Sequence, residues 1–154
     1  MASQHTHYLE SKVLTAPPHR LHLMLIEGAI RFGRQAEQDI RAGNAAAAST
    51  PLMRMLDIVG EMLVGVRQTK SELNDKLAAL YWFVFRRVSE ATMNGDEAAL
   101  KEVLGILEFE RETWQMVCEK TPAGENTSAT VPPPSHVFNA AQTNAPATGI
   151  SFHA

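Results

Sequence analysis

Cysteine is almost absent from this chain: Cys118 stands alone among 154 residues. No internal disulfide can form, so the sequence points to a reducing compartment. Cys118 falls on the apolar face of the last expected helix and reads as a plain core thiol. An excess of basic charge is also lacking, with 14 Lys and Arg against 17 Asp and Glu. The formal net charge is -3 and no basic stripe is interleaved with aromatics, so nucleic acid is not an expected partner. The longest apolar run, Leu77 to Phe85, is too short to span a bilayer and stops at Arg86-Arg87. No basic segment followed by an apolar run opens the chain, so no secretion signal is expected. Together these absences predict a soluble, cytoplasmic protein without membrane insertion.

Signatures of chemistry are missing as well. No Ser/His/Asp or Cys/His arrangement stands out, and no glycine-rich loop is built to cradle a phosphate. Gly28, Gly33, Gly60, Gly65 and Gly105 are isolated inside helical patterns and read as sites of close helix packing. His19-x-x-His22 places two imidazoles on one helical face. The Glu-x-x-His pairs of di-iron bundles are absent, however, so both histidines read as solvated. No catalytic residue, cofactor or metal is therefore expected, and the protein reads as a non-enzyme. Arg86-Arg87 reads as a paired or solvated surface feature.

What the sequence does have is helical periodicity. An arm, residues 1–16, precedes the first helix. Thr15 offers a cap, and Pro17-Pro18 fit a first turn, where missing N–H groups cost nothing. Helix one is expected from about Pro17 to Ala42, ending at Gly43-Asn44. Helix two is expected from about Pro51 to Val66, capped by Ser49 or Thr50. An alternative cap at Asn44 would begin an Ala-rich turn that Pro51 interrupts. Its stripe is Leu52, Met55, Leu56, Val59, Met62, Leu63 and Val66. Helix three should run from about Ser71 to Asn94, stopping at Asn94-Gly95. Helix four should run from an Asp96 cap to about Lys120, before Pro122. No sustained period-2 alternation argues for a strand. Short connections force neighbours to lie antiparallel. The expected fold is all-α: an antiparallel up-down four-helix bundle over 17–120. From Thr121 the composition turns to Pro, Ala, Thr, Ser and Asn, so 121–154 is expected to be a disordered tail.

Two helices carry more apolar surface than a one-sided bundle position requires. Such a position needs one stripe about 100° wide. In helix three, Leu73, Leu77, Leu80, Tyr81, Val84, Val88 and Ala91 form that stripe, yet Trp82 and Phe83 point away from it and Phe85 sits at its edge. In helix one, Leu21, Leu25, Ala29, Phe32, Ala36 and Ile40 form one stripe and Leu23, Ile26 and Ile30 another, together spanning roughly 200°. Either neighbouring helices wrap these two, or an apolar groove awaits another chain. Met24 and Met53 lie off the main stripes and suit a binding face, because methionine adapts to imperfectly matched apolar partners.

Three segments now resemble a known family. The first is Tyr8-x4-Val13-Leu14-Thr15-Ala16-Pro17-Pro18-x2-Leu21-x-Leu23-Met24-Leu25-Ile26-Glu27-Gly28-Ala29-Ile30-Arg31-Phe32. The second is Leu80-Tyr81-x-x-Val84-Phe85-Arg86-Arg87-Val88-x-x-Ala91. The third is Val103-Leu104-x-x-Leu107-x-x-x-Arg111-x-Thr113-Trp114. In this order and spacing, over about Tyr8 to Glu119, they resemble the flagellin export chaperones, the FliS family. Two positions depart from its pattern: Ile26-Glu27-Gly28 replaces the usual Tyr-Asp-Gly, and Trp82 replaces an acidic residue. Both changes enlarge the apolar surface.

The resemblance implies a cytoplasmic, non-enzymatic helical bundle. It implies that the chain binds the C-terminal, helix-forming segment of unassembled flagellin, prevents premature polymerisation and delivers the subunit to a component of the flagellar type III export gate. It also implies an N-terminal lid, with Tyr8 at the family's tyrosine position and Leu9 and Val13 beside it. The expected groove residues are Leu23, Met24, Ile26, Ile30, Trp82, Phe83 and Phe85. One alternative is a structural or adaptor bundle that forms homodimers through the same faces and carries no flagellin. The other is a metal-binding or small-molecule-binding bundle with enzymatic activity, against which the missing ligand pattern argues.

Overall fold

The computed structural model describes residues 16–121, which form four α-helices. These are α1 (Pro18–Arg41), α2 (Ala45–Arg67), α3 (Glu72–Asn94) and α4 (Glu97–Lys120). Each helix packs on the next, and α4 closes back on α1. The connections are only a few residues long, so the order is up-down-up-down, as expected. The arm and most of the tail lie outside the described residues.

Local chemistry sets the helix ends. Ser71 Oγ accepts from the Asn74 N–H at 3.0 Å and Asp96 Oδ1 from the Ala99 N–H at 3.1 Å. Each cap satisfies one of the orphan donors of a first turn. Gly95 ends α3 in the left-handed region, φ 63°, which a residue without Cβ adopts freely. At α1 the expected Thr15 cap is replaced by Pro17 in the N-cap position, with no side-chain bond, and Pro18 opens the helix.

Helix α2 begins earlier than expected. Asn44 is its cap: Oδ1 accepts from the Ala47 N–H at 3.2 Å, and the helix runs on through Pro51. The proline removes one backbone donor, the one that would reach Ala47. Its ring is buried with Ala48 and Leu52, and that burial offsets the loss.

The core runs through all four helices and contains Ile26, Met55, Val59, Tyr81, Val84, Leu104 and Leu107, none more than 1% exposed. The face that α1 turns inward lies between its two expected stripes. It carries His19, His22, Ile26, Ala29, Ile30, Gly33, Ala36 and Glu37. The two histidines read as solvated from sequence are thus buried. They are spaced four and seven residues from Ile26, which puts them on the same inward face. Gly33 is the contact point of α1 with two neighbours. A Cβ there would stand 2.7 Å from Leu104 Cδ2 and 3.1 Å from Met55 Sδ, so any larger residue would force the Leu104 side chain to move.

Candidate functional site

The apolar surface left over after core formation is concentrated on α2 and α3. Trp82 is 47% exposed and its ring is stacked on Phe85, with centroids 6.0 Å apart and planes within 8°. Phe85 leans over α2 at Gly60: its Cε2 lies 3.8 Å from where a Cβ would stand. Along the same ridge of α2, at helical spacing, follow Met53, 53% exposed, half-buried Leu56, and Val64, 41% exposed. The 3.8 Å separation at Gly60 is ordinary van der Waals distance, so the Phe85 ring packs directly against α2 there. The result is a shallow apolar face with an aromatic pair at its centre.

Charge is distributed the other way. On the α1–α4 seam, Arg41 pairs with Glu37 at 2.8 Å and Glu97 at 2.7 Å, while Arg34 pairs with Glu37 and Glu108. On the α3–α4 seam, Arg87 pairs with Glu90 at 2.6 Å and Glu102 at 2.7 Å. Hydrogen bonds from Arg41, then from Lys101, hold the Glu97 carboxyl below its ordinary range. The Arg87 guanidinium is held above its ordinary range, first by its bond to Glu90 and then by that to Glu102. Among the described residues, no ion pair crosses from α2 to α3.

The expected groove residues scatter over several surfaces. Trp82 and Phe85 meet on the α2–α3 face. Phe83 is half-buried about 100° around α3, on the side facing α4. Leu23 is half-buried at the α1–α4 seam, in a hollow shared with Arg20, Gln115, Cys118 and Glu119. Met24 is half-buried on α1. Ile26 and Ile30 need correction: they are 0% and 6% exposed and pack in the core rather than line an open surface. The central face of α1 is simply the one between its apolar stripes, and both isoleucines fall on it. The expected lid residues Tyr8, Leu9 and Val13 lie outside the described residues.

Sequence reading took Gly60 as a packing site but missed Val64 on this face, and exposed Phe109 and Met116 on α4. Val64 lies one α-helical turn beyond Gly60, and that spacing from Met53 was the available signal. Phe109 stands between two glutamates and Met116 beside the apolar stripe of α4, and neither gave one. Sequence reading also missed a buried polar cluster. His22 Nε2 lies 2.7 Å from Tyr81 Oη, Tyr81 donates to Glu110 Oε2 at 3.2 Å, and Trp114 Nε1 donates to the same oxygen at 3.3 Å. Burial lowers the His22 pKa from 6.5 to about 4. Burial, with the neighbouring Glu110 carboxylate, pushes the Tyr81 phenol well up. Burial also pushes the Cys118 thiol up, as suits a core cysteine. Among the described residues, no helix is long and apolar enough to cross a membrane.

A family model described as "Flagellar protein FliS" matches residues 1–121. The chain is 32% identical over 114 residues to the flagellar secretion chaperone FliS of Salmonella typhimurium, covering 73% of this chain and 84% of that one. It is 29% identical over 115 residues to the flagellar secretion chaperone FliS of Bacillus subtilis, covering 75% and 86%. The protein of the same name from Escherichia coli K12 is 26% identical over 109 residues, or 70% and 80%. The family match spans all four helices, and on it and these likenesses the chain belongs to the FliS family of flagellar secretion chaperones.

Proposed function

We propose that this chain is a cytoplasmic, non-enzymatic chaperone for flagellin. It binds the C-terminal, helix-forming segment of the unassembled subunit, keeps it from polymerising and hands it to the flagellar type III export apparatus. The observation that carries this reading is the Trp82–Phe85 stack on an open α2–α3 face. A disordered cargo loses conformational freedom on binding and needs apolar area to compensate. An amphipathic helix meets that need by laying spaced apolar side chains into a groove. The names of the relatives support the chaperone role. The proposed division is an arm at 1–16, the bundle at 17–120 and a tail at 121–154, with Tyr8, Leu9 and Val13 of the arm covering the groove until cargo displaces them.

Titration of the purified chain with the C-terminal segment of its own flagellin tests the reading. Saturable 1:1 binding that weakens at least tenfold in Trp82→Asp supports it. No binding, with a homodimer that the same substitution dissociates, turns the reading into the adaptor alternative. Removing residues 1–14 is expected to raise flagellin affinity severalfold or to promote self-association; no change in either rejects the lid.

A further inference from the structure

The buried cluster around His22 lies away from the Trp82–Phe85 face and joins three of the four helices through the core. His22 comes from the second turn of α1, Tyr81 from the middle of α3, and Glu110 and Trp114 from the second half of α4. With the Tyr81 hydroxyl donating to the Glu110 carboxylate, the tautomer assigned to His22 is the one whose Nε2 carries the hydrogen toward Tyr81 Oη. That tautomer leaves His22 Nδ1 as a bare lone pair. Nδ1 is buried and meets no polar partner among the described residues. The imidazole lies against the Trp114 ring, centroids 4.3 Å apart, and is 1% exposed. A second proton on this ring would create a buried N–H with no acceptor and a buried charge.

We infer that the His22–Tyr81–Glu110 chain is a proton-sensitive latch, holding α1 to α3 and α4 while His22 is neutral and loosening when His22 takes up a proton.

The surroundings of His22 do not compensate that charge. From α3 the facing titratable group is Tyr81, whose hydroxyl is neutral and already donating. From α4 it is Glu110, reached only through Tyr81; Arg111 and Cys118 on that helix add no anion at neutral pH. From α2 the buried residues are all uncharged; Glu61 is half-buried with its Oε2 shut in and unbonded, and it makes no hydrogen bond to His22. On α1 itself, His19 one turn away is a second buried imidazole. Above pH 6.5, His22 is neutral in the folded and unfolded chain alike. Below it, the unfolded chain takes a proton that the folded chain refuses, so stability falls with pH until the folded ring itself titrates near pH 4. Each pH unit in that window is worth up to about tenfold in the folding constant.

The test compares the full chain with His22→Leu and His22→Gln by urea unfolding from pH 7.5 to pH 4. Leucine removes the titration and leaves Tyr81 bonded to Glu110; glutamine keeps an amide donor for Tyr81. The native chain is expected to lose on the order of a hundredfold more of its folding constant than either variant between pH 6.5 and 4. Parallel profiles overturn the latch, as does a native chain that gains on the variants in acid, because Glu110 would then be stabilising the imidazolium. A second readout uses Trp82→Phe, which leaves Trp114 as the sole indole. An imidazolium quenches indole emission, so Trp114 emission should drop with a midpoint below pH 5 while the helical signal persists. Adding either His22 variant should abolish that drop. A midpoint near 6.5, or the same drop without His22, overturns the inference.

Discussion

The two sides of α3 are built on opposite plans. Toward α4, Arg87 bridges to Glu102 and ties the helices by charge. Toward α2, no ion pair crosses the seam among the described residues, and Trp82, Phe85, Met53 and Val64 leave apolar surface in water. Exposed ion pairs add little stability, with a median near 0–1 kcal/mol, but they make a surface unattractive to an apolar helix. Their absence from α2–α3 costs the fold little and leaves that face free for a partner. A chaperone needs such a division: one side sealed by charge, the other kept sticky.

Substitutions that act on both sides, on one, or on the other test this contrast. Leu104 is almost wholly buried and packs beneath Gly33 of α1. Leu104→Ala should destabilise the whole bundle by about 2–5 kcal/mol, read by urea unfolding, and weaken any function only through lost fold. Trp82→Asp should act on the sticky side alone. At 47% exposure it should change unfolding stability by less than about 0.5 kcal/mol while weakening flagellin-segment binding by about 1.4 kcal/mol or more, read by calorimetry. A large loss of stability instead would mean that Trp82 holds the fold and that the contrast is misdrawn. Arg87→Ala should act on the sealed side, costing less than about 1 kcal/mol of stability, with flagellin binding unchanged. Raising salt should shrink that small cost further, because the pairs are partly exposed.

Much of the fold was legible residue by residue. Ser71, Asp96 and Gly95 announced the ends of α3 and α4 because caps and left-handed turns are local chemistry. The α2 stripe was read correctly apart from its start, since an internal proline is normally a boundary and here its burial outweighs one lost bond. The site was less legible. Trp82 and Phe85 were singled out, but periodicity alone put them in one class with Ile26 and Ile30, which the neighbouring helices cover. Leu73 lies on the α3 stripe yet is exposed, because it sits in the first turn, where the stripe runs past the end of the core. His19 and His22 read as solvated, yet both are buried, because polarity predicts exposure only when no partner or cover waits inside.

Helix number, order, antiparallel packing and family were thus set by the sequence itself: they follow from spacing, caps and short connections, which act over a few residues. Which of two apolar stripes turns inward, which aromatic remains in water, and which imidazole is shut away with a phenol and a carboxylate were decided only on assembly. Those outcomes depend on what stands opposite each side chain, and a helix carries no record of its neighbours until they pack against it.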